Sequence, residues 1–377
     1  MAWTVNLSNS QLNDLVSGAL ADGSYTYQEM LDLLSSVAAG GVTASEWADL
    51  KTVYTSAQTS FASDYVKTIT YNVVYGNLAN DSWWGGAKTY AGVTTLGNLA
   101  ANTTQANAQR LIDKWFLGLD LPMPVAGGDT ATGTASTNVF NYATATGALT
   151  VNGVAAADVN QGVAGTCYYL ATLGAVANIA PTTITSALID NGNGTYGVKF
   201  YIDGLAAYTT VNKSLPTYSG GWVAFASNSS HSLAGETWVS LLEKAFVQLN
   251  TQTNVENNES AWTGENSYQA VEGGWASPIK QLTNLNYQYY TSYWQGLPDA
   301  DASAELYATN PQTYKQTLIN GLNAGAIGWI ASWGDSVSAT NGKKNFIAGH
   351  AFMLLGYNSA TDKFIVRNPW GGSGGYY

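Results

Sequence analysis

A break in hydrophobic periodicity constrains this chain most. Residues 118–150 are rich in Gly, Thr, Ala and Pro and carry neither the helical nor the strand repeat. Such a stretch reads as a linker or an extended crossing segment, and it separates two differently patterned parts. Before it, Thr26-x-x-Glu29 and Thr43-x-x-Glu46 are capping-box patterns, each opening an amphipathic run. The first run sets Met30, Leu33, Leu34 and Val37 on one face, the second Trp47, Leu50, Val53 and Tyr54, with Gly40-Gly41 between them. A further helix is expected near 103–117, with Ala106, Leu111 and Trp115 inward, and the Trp83-Trp84-Gly85-Gly86 region is expected to be irregular. Residues 1–117 therefore read as a helical domain.

Residues 151–377 mix both periods, which indicates an α+β class. A buried helix is expected over 167–179, stopped by Pro181. Asn191-Gly192-Asn193-Gly194 precedes an alternating strand with Val198, Phe200 and Ile202 on one side, and Asp203-Gly204 turns the chain back. Over 237–250 the residues Trp238, Leu241, Leu242, Ala245, Phe246 and Leu249 follow the spacing of one helix face. Strands are expected at 327–333, 350–357 and 363–367, the last two joined by a polar turn at 358–362.

Composition narrows the function classes. Charged residues make up 10%, against about 25% in ordinary soluble proteins, and the formal net charge is −11. That sign argues against nucleic acid or an anionic membrane as partner. No apolar run reaches the roughly 18 residues of a membrane span. One cysteine excludes an intrachain disulfide and a cysteine-based metal cluster. The first residues lack a basic region followed by an apolar run, so no ordinary signal peptide is read there. The acidic, Asn/Thr/Gly-rich composition leads to an expectation of extracellular location by another route, with cytoplasmic location as the alternative.

The single cysteine also carries the strongest chemical signal. Cys167 ends the segment Gln161-Gly-Val-Ala-Gly-Thr-Cys. With Thr166 as N-cap, Cys167 lies in the first turn of a helix, where the dipole and free N–H groups favour the reactive thiolate. Gly162 and Gly165 allow a tight approach, and Gln161 can fold back to donate to an oxyanion. Read alone, a lone cysteine is more often a small buried hydrophobe than a nucleophile. Of the two histidines, His231 sits in a polar Ser/Asn loop and reads as solvated, whereas His350 follows Gly349 at the start of a strand. Asn368 lies one hairpin after His350, placed to accept from Nδ1–H of that ring, with Trp370 covering the bond. Asn-Pro-Trp-Gly is also an ordinary turn when taken alone.

Taken in order, these segments resemble the catalytic signatures of the calpain family: Gln-Gly-x-x-Gly-x-Cys, then Gly-His, then Asn-Pro-Trp-Gly. Leu215-Pro216, the 238–250 helix and Tyr268-Gln-Ala-Val-Glu-Gly-Gly274 also match in order, so the resemblance runs from about Asp158 to Gly371. It implies a papain-like fold, with a helical half bearing the cysteine and a sheet half bearing the histidine and asparagine. It also implies a cysteine endopeptidase whose catalytic set is Cys167, His350, Asn368 and Gln161. Gly165, Gly273, Gly274, Gly349 and Trp370 are the candidate substrate-binding positions. Protein or peptide substrates are the expected partners, with the chain acting as a monomer. Family calcium positions fall on Asp158 and Glu236, so Ca2+ is expected as an activating, non-catalytic ion. Thr166 and Tyr168 depart from the Asp and Trp common in the family. The family domain continues beyond the Trp-Gly turn, whereas this sequence ends at Tyr377, so a C-terminally truncated catalytic domain is expected. Residues 1–117 are expected to be a prodomain or accessory module released near 118–150. Two other classes stay open at this point: a transglutaminase-like Cys–His acyltransferase, and an inactive peptide- or surface-binding module.

Overall fold

Both capping boxes form. In helix α2 (Tyr27–Ala38) and helix α3 (Ala44–Ser56) the threonine accepts from the backbone of the third helical residue while that glutamate accepts from the threonine's own N–H. Two donors that a helix start leaves without partners are thereby satisfied at each end. Met30, Leu33, Leu34 and Val37 are buried as the spacing predicts. On α3 the buried face is Asp49, Leu50 and Val53, while Trp47 and Tyr54 are half-buried. Helix α5 (Gln105–Trp115) buries Leu111 and Trp115 but exposes Ala106, one residue outside its inward face.

The computed structural model describes residues 6–127, 138–255, 264–291, 305–307, 311–332, 336–337 and 344–371. It divides into two compact units. The first takes Met1–Met123 together with residues 188–199 and 206–213. Helices α1 (Ser10–Ala19) and α4 (Asp64–Val74), which the sequence reading left unassigned, complete its helical core with Leu12, Val16, Ile69 and Val73. Strand residues from the second half of the sequence join this unit, a partition unlike the expected 1–117, 118–150 and 151–377. The reason is side-chain burial: Tyr208 belongs to the helical core, and the Tyr65 hydroxyl shares a 2.8 Å hydrogen bond with Thr210.

The second unit holds Pro124–Ala187, Phe200–Leu205 and Ser214–Tyr377. Its described parts of 124–150 are packed, not a loose linker. Val125–Ala126 pairs with Asn138–Val139, Asn141–Thr144 pairs with Ser214–Thr217, and Phe140 and Ala145 are buried. The expected cleavage region falls partly on 128–137, outside the described residues, as do residues 372–377 and Trp333.

Helix α6 (Cys167–Ile179) is buried along nearly its whole length, followed by the short α7 (Pro181–Ala187). It packs on an antiparallel sheet in which His350–Asn358 lies between Gly328–Ser332 and Lys363–Arg367. Helix α8 (Trp238–Leu249) lies against α6, the Tyr169 and Phe246 rings stacking at 4.0 Å and the Tyr169 hydroxyl donating to the Leu242 carbonyl. Burying a ring such as Phe246 contributes about 1.5–3 kcal/mol. The apolar stripe of α8 predicts one inward face, yet every residue of the helix is buried, Glu243, Lys244 and Gln248 included. Helices α9 (Ser277–Thr283) and α10 (Pro311–Asn323) complete the helices of this unit's described part.

Candidate active site

Cys167 is the first residue of α6, as the local sequence predicts, but Thr166 does not cap by its side chain. Its hydroxyl instead donates to Glu243 Oε1 at 2.6 Å, across to α8. The N–H groups of the helix start are therefore not taken by that side chain and can face the thiol, the arrangement that stabilises negative charge. Burial pushes the Cys167 thiol up, opposed by the backbone N–H groups of Ala351, Tyr168 and Cys167 itself. The Ala351 contact sets the sulfur against the start of the strand that carries His350.

His350 and Asn368 are brought together at a different ring nitrogen from the one expected. Asn368 Oδ1 lies 2.8 Å from Nε2, not Nδ1, and also accepts from the Trp370 N–H at 2.9 Å. A backbone N–H can only donate, so this atom is the amide oxygen, and Nε2 must carry a proton to donate to it. The neutral ring then offers Nδ1 as its basic nitrogen. Burial lowers the His350 pKa, with the Asn368 hydrogen bond opposing, so the setting favours the neutral ring. The Trp370 ring lies 4.6 Å from the imidazole, while 43% of its own surface stays exposed.

Gln161 is drawn to the same place through its backbone, whose N–H donates to the Pro369 carbonyl at 2.7 Å. Its side-chain Nε2 donates one hydrogen to Ala164 O at 2.7 Å, which leaves the second available. Its Oε1 is buried without a partner. Gly162 needs its missing side chain for packing: an added Cβ would stand 2.1 Å from Ala224 O and 2.5 Å from Phe225 Cα, both backbone atoms. Gly162→Ala is expected to lower stability by at least about 1–3 kcal/mol, visible as a fall in Tm, and an unchanged Tm would refute this packing account.

Two carboxylates that the sequence reading did not single out hold the turn before Cys167. Glu272 Oε1 accepts from the Gly165 and Gly127 N–H groups at 3.1 and 3.2 Å. Glu243 Oε2 accepts from Ala226 N–H at 2.9 Å, alongside the Thr166 bond. Burial pushes the Glu243 carboxyl up to about 7, against the lowering effect of its two hydrogen bonds and with the Glu272 charge adding to the rise. Glu272 lies inside the Tyr268–Gly274 segment, so it was visible as part of a motif. Glu243 was masked by the apolar spacing of α8, which assigns the residues between its apolar positions to solvent.

The remaining candidates fall as follows. Gly273 N–H donates to Gly165 O at 2.9 Å, joining two of the candidate substrate positions. At Gly274 an added Cβ would come within 2.5 Å of the Tyr168 ring, so packing accounts for that glycine. Gly349 has a φ of 62° and donates to Ser332 O at 2.7 Å immediately before His350. His231 is half-buried, with Nδ1 2.7 Å from Ser227 Oγ, so the solvated reading is corrected. Asp158 and Glu236 are neighbours. Burial raises the Glu236 pKa first, the Asp158 charge adds to it, and the Val151 N–H opposes both. The Ala156–Asp158 turn is clamped by Arg367, which donates to the Ala156 and Ala157 carbonyls at 3.1 and 2.9 Å. Among the described residues no group of three or more His, Cys, Asp or Glu side chains is placed to hold a metal. No described helix is long and apolar enough to cross a membrane.

Comparison with known proteins gives a match to the calpain family cysteine protease model over residues 140–376. The calpain-type cysteine protease ADL1 of Oryza sativa subsp. japonica is 29% identical over 225 residues, covering 58% of this chain and 9% of the relative. The calpain-type cysteine protease DEK1 of Zea mays is 28% identical over 225 residues, with the same coverage. The calpain-2 catalytic subunit of Homo sapiens is 26% identical over 238 residues, covering 59% of this chain and 29% of the relative. The chain thus spans under a third of the length of these relatives.

Proposed function

This chain belongs to the calpain family of cysteine proteases, and from that premise we propose that it is a cysteine endopeptidase working through Cys167, His350 and Asn368. The observation that carries the reading is the Asn368 amide oxygen, which accepts from both Trp370 N–H and His350 Nε2. That double acceptance commits Nε2 to holding a proton and leaves Nδ1 to act as base.

In the proposed reaction, burial pushes the resting thiol up and the imidazole down, so that it favours the neutral form of each. The Cys167 proton passes to His350 Nδ1 as the sulfur attacks the peptide carbonyl. The oxyanion is met by the Cys167 backbone N–H and by the remaining hydrogen on Gln161 Nε2. His350 then gives the proton to the departing amine, and the C–N bond breaks to leave a thioester. Water, deprotonated by the same nitrogen, attacks the thioester and releases the acid, returning the proton to sulfur. Asn368 holds the ring throughout and stabilises the imidazolium.

The test is turnover of a denatured protein or an internally quenched peptide, with a primary amine present as a competing acceptor. Hydrolysis without amine transfer is expected; amine transfer, or no turnover, would contradict the reading.

Calcium enters the proposal through Asp158 and Glu236. Two adjacent carboxylates, the Glu236 pKa raised first by burial and further by the Asp158 charge, suit a divalent cation, with carbonyl oxygens or water completing the oxygen shell such an ion needs. When bound, the ion would neutralise the pair and brace the turn that leads into Gln161. A ligand binding only the folded chain stabilises it by about 2.7 kcal/mol at a hundredfold excess over Kd, so Ca2+ is expected to raise Tm and Asp158→Asn to abolish the rise. A Tm indifferent to Ca2+ in the unsubstituted chain would remove the ion from the account.

A further inference from the structure

We propose that Glu243 is a positioning residue for catalysis, locking the Cys167 turn and the segment beside the Gln161 oxyanion donor into one register. The proposal rests on the endopeptidase reading above. Its basis is the division of labour between the two carboxylate oxygens. Oε1 takes the hydroxyl of Thr166, the residue bonded directly to Cys167. Oε2 takes the N–H of Ala226. Ala226 belongs to the segment that runs beside Gln161: Val163 N–H donates to Ala224 O at 2.9 Å, and Asn160 and Ser227 exchange backbone hydrogen bonds at 2.9 and 3.2 Å. One rigid planar group therefore spans the two chain segments whose relative placement sets the distance between the thiol and its oxyanion donor.

The setting explains why an acid stands there. Glu243 is 1% exposed on a helix buried all round, where an apolar side chain would pack at no desolvation cost. The Glu272 charge, of the same sign, adds to the cost of burying it, and the Thr166 and Ala226 hydrogen bonds are what oppose that cost. What the carboxylate provides and an apolar residue cannot is two acceptors in fixed geometry, one for each segment. Ser240, one turn earlier on α8, also holds this segment by donating to Ala226 O at 2.7 Å. Helix α8 thus acts as a template for the site without reaching it.

The proposal predicts coupling between Glu243 and Thr166. Glu243→Gln and Thr166→Val are each expected to lower kcat by about 10- to 100-fold with KM changed less than about twofold, because a misplacement of about 1 Å at the reacting atoms costs up to about 10²-fold. Combining the two is expected to cost no more than either alone, since both break one connection. Thr166→Ser, which keeps the hydroxyl, is expected to retain kcat. Losses that multiply in the double variant, or a Thr166→Val chain with unchanged kcat, would overturn the proposal. Should Glu243→Gln fail to fold, Thr166→Val against Thr166→Ser decides alone. The rate of Cys167 alkylation by iodoacetamide reads the same coupling without turnover. If the unsubstituted chain hydrolyses nothing, the endopeptidase reading falls, while parallel, non-multiplying changes in alkylation still support the positioning role and independent ones refute it.

Discussion

Cys167→Ala is expected to abolish peptide hydrolysis, lowering kcat by about 10⁴-fold or more. Cys167 is the only sulfhydryl in the chain, so no second thiol can take over or blur the background. The residual rate would be what the oxyanion donors and substrate binding supply without a nucleophile. Substrate binding is expected to survive, because the variant leaves the Gln161 turn, its bonds to Pro369 and Ala224, and the Glu243 connection untouched. The measurement is kcat with an internally quenched peptide, beside the affinity of the same variant for an uncleaved peptide. Hydrolysis persisting within tenfold of the unsubstituted chain would exclude Cys167 as nucleophile.

His350→Ala is expected to lower kcat by about 10²- to 10⁴-fold, the range that a positioned acid–base group contributes. The Asn368 oxygen would keep its Trp370 donor, so the turn after the Lys363–Arg367 strand should hold its shape. Some stability is lost with the ring, which packs against Phe352 at 4.8 Å and Trp370 at 4.6 Å. Both kcat and KM are to be measured across pH. The loss is expected in kcat, and a variant impaired only in KM would assign His350 to binding.

How far the sequence reveals this molecule depends on which forces are local. The capping boxes at Thr26 and Thr43 were legible because threonine and glutamate three residues apart satisfy each other within one turn. Cys167 at a helix start and His350 at a strand start were legible for the same reason. Helix α4 was missed although Ser63 caps it and Val66, Ile69 and Val73 are spaced for one face, because the polar residues between them dilute the repeat. The Thr166 prediction failed for a tertiary reason: a threonine before a helix normally caps it, but here a buried carboxylate 77 positions away competes for the hydroxyl. Glu243 itself could not be found from periodicity, since helical spacing tells which face is apolar and not whether the opposite face is also covered. The ring nitrogen facing Asn368 was likewise beyond sequence, because it depends on the rotation of the imidazole and not on residue order. The grouping of residues 188–199 and 206–213 with the helical unit depends on long-range contacts that no linker composition announces.

The central claim is that the Cys167 thiol and His350 act as one unit, and the rate of Cys167 alkylation across pH tests it most directly. Burial alone pushes the thiol up and the imidazole down. An isolated Cys167 would therefore react appreciably only above the ordinary thiol range of about 8.5. With His350 taking the proton as sulfur attacks, iodoacetamide is expected to label Cys167 rapidly at pH 7, and His350→Ala is expected to abolish that neutral-pH reaction while leaving the alkaline limb. Equal labelling of both proteins, rising only with ionisation of a lone thiol, would contradict the claim.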